Sequence, residues 1–359
     1  MRIVHVVLSL DVGGQERLIL SLSRELAARG HDVRVLSLTP GGALRPQFAG
    51  IPTFDVPHPG GTRPSTWAKV ARALVGIAAD VVHTHNAAPL IYAASAARLA
   101  GVRHVVHTKH GSNTYPKGAL WLARAGARAV TAFVAVSDET AVTARRDERP
   151  AASKLRVVPN GIPLAQFAKD VAAGRRVREE LGIAADAVVI GTVGRLVSEK
   201  DYPLLVRAAA PLLSSKLRLV LVGEGPTRGE IEAAIPKAAM PFVTLTGLRS
   251  DVPRVMSAFD VFCLSSRTEG LPLVVPEAMA CGLPVVATRV GGLPGIVPDE
   301  VGRLVDHGDE GALRAELGAL AADAALRARL GDAACAYAHR RFSLARMADD
   351  YERLYSGLF

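Results

Sequence analysis

Apolar positions recur along the chain with two periods. Short β-branched runs, consistent with half-buried or buried strands, lie at 3–10, 33–38, 81–84, 104–108, 132–136 and 155–158. A second series follows at 187–193, 217–222, 242–246, 261–265 and 285–288. Amphipathic stretches separate them. The first spans 15–29, where Leu18, Ile19, Leu22 and Leu26 form one stripe and Gly30 supplies a C′ stop. Strand and helix in strict alternation predict βαβ units and parallel sheets, hence an α/β chain. Two such series predict two Rossmann-like domains, whose ligands would bind at the carboxyl ends of the strands, in a cleft between them.

The stretch from 159 to about 175 is rich in turn residues (Pro159-Asn160-Gly161-Ile162-Pro163) and then polar, which marks the boundary. The expected division is 1–170, 171–340 and a closing segment 341–359. The pattern is almost wholly helical from 312 onward, and Met347, Tyr351, Leu354 and Tyr355 recur at helical spacing. A terminal helix following a complete second sheet is expected to return to the first domain.

Composition narrows the class. Of 359 residues, 49% are apolar and 21% charged, enough for two cores and inconsistent with disorder. Three cysteines with no C-x-x-C pair suggest neither a disulfide framework nor a thiolate zinc site. No apolar run is long enough to span a bilayer, and the opening strand, interrupted by His5, lacks a cleavage site, so a cytoplasmic protein is expected. The net charge of +9 is lopsided: residues 1–170 hold 21 Lys+Arg against 11 Asp+Glu, and the remainder balances at 22 against 23. An anionic partner for the first half is one reading and solvated basic helix faces are the other. No zinc-finger, RRM-like or aromatic-interleaved basic segment points to nucleic acid.

Chemistry concentrates in the loops. Gly13-Gly14 precede a helix, where free N–H groups can meet a phosphate; Leu18 stands where a dinucleotide fingerprint needs its third glycine, which argues against NAD or FAD. Arg195 and Lys200 lie five residues apart in a strand-to-helix loop, suited to a diphosphate. Glu269 and Glu277 fall on either side of the start of the next helix; read as eight helical residues they would stand about 12 Å apart and contact different parts of one ligand. Glu277, on a largely apolar helix, needs a donor such as a ligand hydroxyl. Five of ten histidines lie between His83 and His110; without accompanying carboxylates they do not make a convincing metal site.

These pieces together resemble a family 4 glycosyltransferase, a retaining, nucleotide-sugar-dependent enzyme of the GT-B fold. The likeness includes Gly13-Gly14-x-Glu16, the His83-Thr84-His85 strand end, Ala135-Val136-Ser137, Val158-Pro159-Asn160-Gly161-Ile162, Val193-Gly194-Arg195 with Glu199-Lys200, Leu221 to Pro226, the E-x7-E pair Glu269/Glu277 and Gly291-Gly292-Leu293-Pro294. The resemblance implies that Arg195 and Lys200 hold the donor diphosphate with the Gly14 N–H, and that Glu269 contacts the sugar and Glu277 the ribose. By the same likeness backbone groups near Leu248 and Arg249 frame the base, and Gly13, Gly270, Leu271, Leu273 and Val274 complete the donor site. His110 faces the reacting centre as a catalytic residue beside Arg195, Lys200 and Glu269, and His85 joins it on the acceptor side. A UDP-sugar is the donor expected, with no cofactor and no metal. The acceptor is a hydroxyl, on a lipid carrier or otherwise, in polysaccharide or glycolipid assembly, with peripheral contact at an anionic inner-membrane face. Rival expectations are a nucleotide-sugar epimerase or hydrolase of the same fold and a non-catalytic nucleotide-sugar sensor. Three positions depart from the family pattern: Gln15, Asp201 where Gly is usual, and Gly295 where Glu is common.

Overall fold

The computed structural model describes residues 1–58, 63–111, 115 and 118–357. The chain divides into two units, Met1–Ile162 with Leu344–Phe359, and Pro163–Ser343. Among the described residues the first is built on seven parallel strands: β1 (Arg2–Val7), β2 (Asp32–Ser37), β3 (Thr53–Asp55), β4 (Val81–His85), β5 (His104–Lys109), β6 (Ala132–Ala135) and β7 (Leu155–Val157), in the order β3-β2-β1-β4-β5-β6-β7. The second has six: β8 (Val188–Val193), β9 (Leu217–Val222), β10 (Val243–Leu245), β11 (Val261–Leu264), β12 (Val285–Thr288) and β13 (Gly302–Val305), in the order β10-β9-β8-β11-β12-β13. Both sheets are doubly wound, and the strand order reverses once in each: between β1 and β4, and between β8 and β11. Ligand crevices of such sheets open at that reversal.

Two strands went unread in the sequence, β3 and β13. Each is an edge strand of three or four residues, too short to show a period. The first strand also stops at Val7 rather than continuing to residue 10, since Leu8 is exposed.

In the first unit, Val4, Val6, Val82 and Val105 point to one core, covered by the helices Pro64–Ile77, Ala87–Leu99 and Leu120–Ala129. The helix Gly14–Ala28 and the last helix, Leu344–Tyr355, contact each other, and the last helix also contacts β5. Tyr355 Oη lies 2.7 Å from His83 Nδ1 and Tyr351 Oη 2.9 Å from Thr108 Oγ1, so the closing helix returns to the first sheet. Arg29 reaches Asp349 at 2.6 Å and Glu352 at 2.7 Å across the same seam. The first unit ends at Ile162 rather than 170. The turn 159–162 is bound to the returning helix: Leu344 N donates to Ile162 O (3.0 Å), Gly161 N to Met347 Sδ (3.0 Å) and an Arg346 N–H to Pro159 O (2.8 Å). The second unit packs Leu204, Leu205, Leu219, Leu221, Val261, Cys263, Val286, Leu313 and Leu317 into its own core.

Candidate functional site

The reversal point of the second sheet gathers most of the expected donor residues. β8 ends in Val193 and runs through Gly194 and Arg195 into the single turn Ser198–Lys200; β11 ends beside it and leads through Ser265 and Ser266 to Glu269. The two loops are joined by backbone and side chain. Ser265 Oγ lies 3.0 Å from both the Lys200 and Asp201 carbonyl oxygens, and Arg267 N donates to Glu199 O at 2.7 Å.

Across this seam the Lys200 ammonium donates to Glu269 Oε1 at 2.5 Å, and Ser266 Oγ donates to the same oxygen at 2.6 Å. Arg195 is exposed, and among the described residues its guanidinium has no hydrogen-bond or ion-pair partner. One cation is thus held against a carboxylate while the other stands open to an anion.

Gly291 supports Glu269 from below. Its φ of +57° is left-handed, and a Cβ there would overlap the Glu269 carbonyl oxygen; Gly292 N donates to Gly270 O at 2.9 Å. The helix carrying Glu277 begins only at Val274, so Glu277 lies in its first turn and the 12 Å estimate for an unbroken helix does not hold. Leu271 is buried, while Gly270, Leu273, Val274 and Glu277 are half-buried.

Two departures from the family pattern lie in this unit. Asp201 has φ 42° and ψ 48°, the left-handed geometry that makes glycine usual, and its carboxylate receives His307 Nε2 at 2.9 Å and Arg267 at 3.1 Å. Gly295 opens a space rather than filling one: a Cβ there meets nothing within 4 Å. At the expected base-binding loop Leu248 is exposed, whereas the Arg249 guanidinium is committed to Asp251 and to Glu180.

The reversal point of the first sheet carries the other residues. Gly14 opens its helix with no neighbour within 4 Å of where a Cβ would sit, and Gly13 is the N-cap. Asn86, after β4 at φ 61°, binds the third departure: its Nδ2 donates to Gln15 Oε1, and its Oδ1 accepts from His110 N at 2.9 Å. One amide therefore ties the glycine loop to the end of β5.

Behind His110 stands a column of imidazoles. His85 Nδ1 lies 3.0 Å from His110 Nε2, and His85 Nε2 lies 3.0 Å from His5 Nδ1. His85 is buried with both ring nitrogens engaged. The residue expected on the acceptor side thus lies directly behind His110. Register explains the column, because His5 pairs with His83 across β1 and β4, and residues 83 and 85 share one face. Burial pushes His5 and His110 down to about 3; burial and neighbouring rings hold His83 and His85 well below the ordinary imidazole range, and His107 likewise, with Lys109 adding to the effect.

His5, His83 and His85 bring nitrogens within 4.8 Å of one another, the one grouping among the described residues with the makings of a metal site. His83, however, spends Nδ1 on Tyr355 and Nε2 on Thr108, each at 2.7 Å, which leaves it no lone pair for a cation. Residues the sequence reading passed over are Ser266, Asn86, Gln15 as a partner of Asn86, and His5. Its signal was there, a polar residue inside an apolar strand. A fully buried ion pair, Lys109–Glu148 at 2.6 Å with Tyr115 also donating to Glu148, was missed as well.

Both halves match known families: residues 12–166 that of Glycosyltransferase Family 4, and residues 187–323 that of Glycosyl transferases group 1. A D-inositol 3-phosphate glycosyltransferase of Xylanimonas cellulosilytica is 32% identical over 391 residues, covering 95% of this chain and 92% of the relative. The chain belongs to glycosyltransferase family 4. This family 4 enzyme is thus a glycosyltransferase of the GT-B type. A UDP-Gal:alpha-D-GlcNAc-diphosphoundecaprenol alpha-1,3-galactosyltransferase of Escherichia coli is 31% identical over 244 residues, 64% of this chain and 63% of that one. The crystal structure of Anabaena HepE in complex with UDP matches the fold with a TM-score of 0.88 over 100% of both chains, at 24% identity.

Proposed function

We propose that this glycosyltransferase moves a hexosyl group from a UDP-sugar to an acceptor hydroxyl with retention of anomeric configuration and without a metal ion. The observation that carries the reading is the pairing of Lys200 with Glu269 beside an uncommitted Arg195. An arriving diphosphate meets the open guanidinium, which can fork onto two oxygens, and draws on Lys200, whose ammonium also holds the Glu269 side chain in place for a sugar hydroxyl. The C1–O bond to the diphosphate breaks, the acceptor oxygen bonds C1 on the same face, and the acceptor proton passes to a departing phosphate oxygen. The chief task is to stabilise charge on the leaving group, which fixed cations and N–H donors do without a protein base. Glu277 reads the ribose, and His110 meets the sugar being transferred.

The acceptor is a hydroxyl on a lipid-linked glycan. Support comes from the basic surplus of residues 1–170 and from Trp121, 64% exposed on a helix of that unit with Arg128 also exposed. No helix among the described residues is long and apolar enough to cross a membrane, so the contact is peripheral.

The test is transfer from UDP-sugars to short lipid-diphosphate glycans in the presence of EDTA, with the product anomer read by nuclear magnetic resonance. Turnover in EDTA with the donor's own anomeric configuration is expected. An inverted product, or turnover restored only by a divalent ion, overturns the reading.

A further inference from the structure

The column behind His110 is a closed hydrogen-bond chain with two loose ends. His110 Nε2, His85 Nδ1, His85 Nε2 and His5 Nδ1 are joined by two contacts of 3.0 Å. At the ends, His110 Nδ1 and His5 Nε2 have no partner among the described residues. His83 packs at a tilt against the column, 4.1 Å from His85 and 5.1 Å from His5 between ring centres, and does not enter it, because Tyr355 and Thr108 occupy both its nitrogens.

A neutral imidazole has one N–H and one lone pair, so two hydrogen bonds in series impose a single polarity on all three rings. If the protons point outward, His5 Nδ1–H donates to His85 Nε2, His85 Nδ1–H donates to His110 Nε2, and His110 carries its own proton on Nδ1. If they point inward, His110 offers a lone pair at Nδ1 and His5 holds an unpaired N–H at the bottom of the column. The two ends differ. Both end nitrogens are buried as atoms, but the residues differ: His5 is wholly buried, whereas His110 lies at the end of β5 and is half-buried. A buried N–H without an acceptor is among the rarest defects in folded proteins; a water or ligand oxygen can supply that acceptor at the half-buried end, and the wholly buried end has no such source. Burial also keeps the rings neutral, so neither end is relieved by an additional proton.

We propose that His5 and His85 are positioning residues that lock His110 in the Nδ1–H tautomer, making it a hydrogen-bond donor toward the sugar oxygen it meets. The inference rests on the reading in which His110 contacts the transferred sugar, but the tautomer itself does not. A donor with a fixed proton stabilises negative charge or an oxygen lone pair without reorganising; a ring free to exchange tautomers would present the wrong end part of the time.

The experiment uses the full chain with ¹⁵N-labelled imidazoles, the His110 signals being assigned by their loss in H110Q. Long-range ¹H–¹⁵N spectra of the ligand-free protein should show His110 as a single tautomer, Nδ1 pyrrole-like and Nε2 bare. In H5L, which severs the chain, the two nitrogens should move toward averaged shifts. H5N, whose amide can still donate where Nδ1 did, should restore the wild-type pattern and shows that loss of folding is not the cause. In transfer assays H5L should lower kcat about tenfold with the donor KM changed less than twofold, and H5N should recover it. A wild-type His110 protonated on Nε2, or unchanged His110 shifts in H5L, overturns the proposal. So does a stoichiometric metal retained by wild type and absent from H5L. Absence of transfer from any donor in the wild type would instead sink the functional reading and leave the spectra to decide the tautomer.

Discussion

Lys200 Nζ and Glu269 Oε1 stand 2.5 Å apart, joining a loop of β8 to a loop of β11. The two side chains act as one unit, so their removal should not be additive. K200A and E269Q are each expected to lower kcat about 10²-fold or more, and K200A/E269Q to be little worse than the poorer single variant. R195K, which keeps the charge and loses the fork, should raise the donor KM more than it lowers kcat. Steady-state kinetics with a competent UDP-sugar decide all four; additive loss in the double variant would separate the two residues' roles.

Gly291 sets the height of Glu269. In G291A the left-handed φ of +57° costs about 1–2 kcal/mol, and the new Cβ must displace the Glu269 carbonyl. A lower melting temperature by circular dichroism is expected together with a loss of kcat, whereas G295A, which faces open space, should change the melting temperature little.

The buried histidines make the first unit acid-sensitive. Their pKa values are lower folded than unfolded, so below about pH 6.5 the unfolded chain binds more protons and stability falls as pH falls. Each such group contributes a slope of up to about 1.4 kcal/mol per pH unit below about 6.5. Both tryptophans, Trp67 and Trp121, belong to the first unit, so their fluorescence reports it alone. An acid transition in fluorescence is expected at a higher pH than the loss of the remaining circular dichroism signal. Coincident transitions would count against it.

Lys109 and Glu148 are wholly buried and 2.6 Å apart. K109M leaves a buried carboxylate with Tyr115 as its one hydrogen-bond partner among the described residues and should cost about 3–5 kcal/mol. K109M/E148Q should recover most of that loss. Urea unfolding followed by tryptophan fluorescence measures both.

The amino-acid order determined the alternation of strand and helix, the two parallel sheets, the returning helix and the family, because hydrophobic period and loop chemistry are local properties written residue by residue. It also named Arg195, Lys200 and Glu269, since charged residues in glycine-containing loops after strands stand out from their surroundings. Tertiary structure alone decided how they combine. That Lys200 meets Glu269 depends on β8 and β11 lying side by side although about seventy positions separate them. That His5, read only as an interruption of an apolar strand, lies behind His85 and His110 depends on the register of β1 against β4. A side chain's partner is set by which strands become neighbours, and no local pattern encodes that distance.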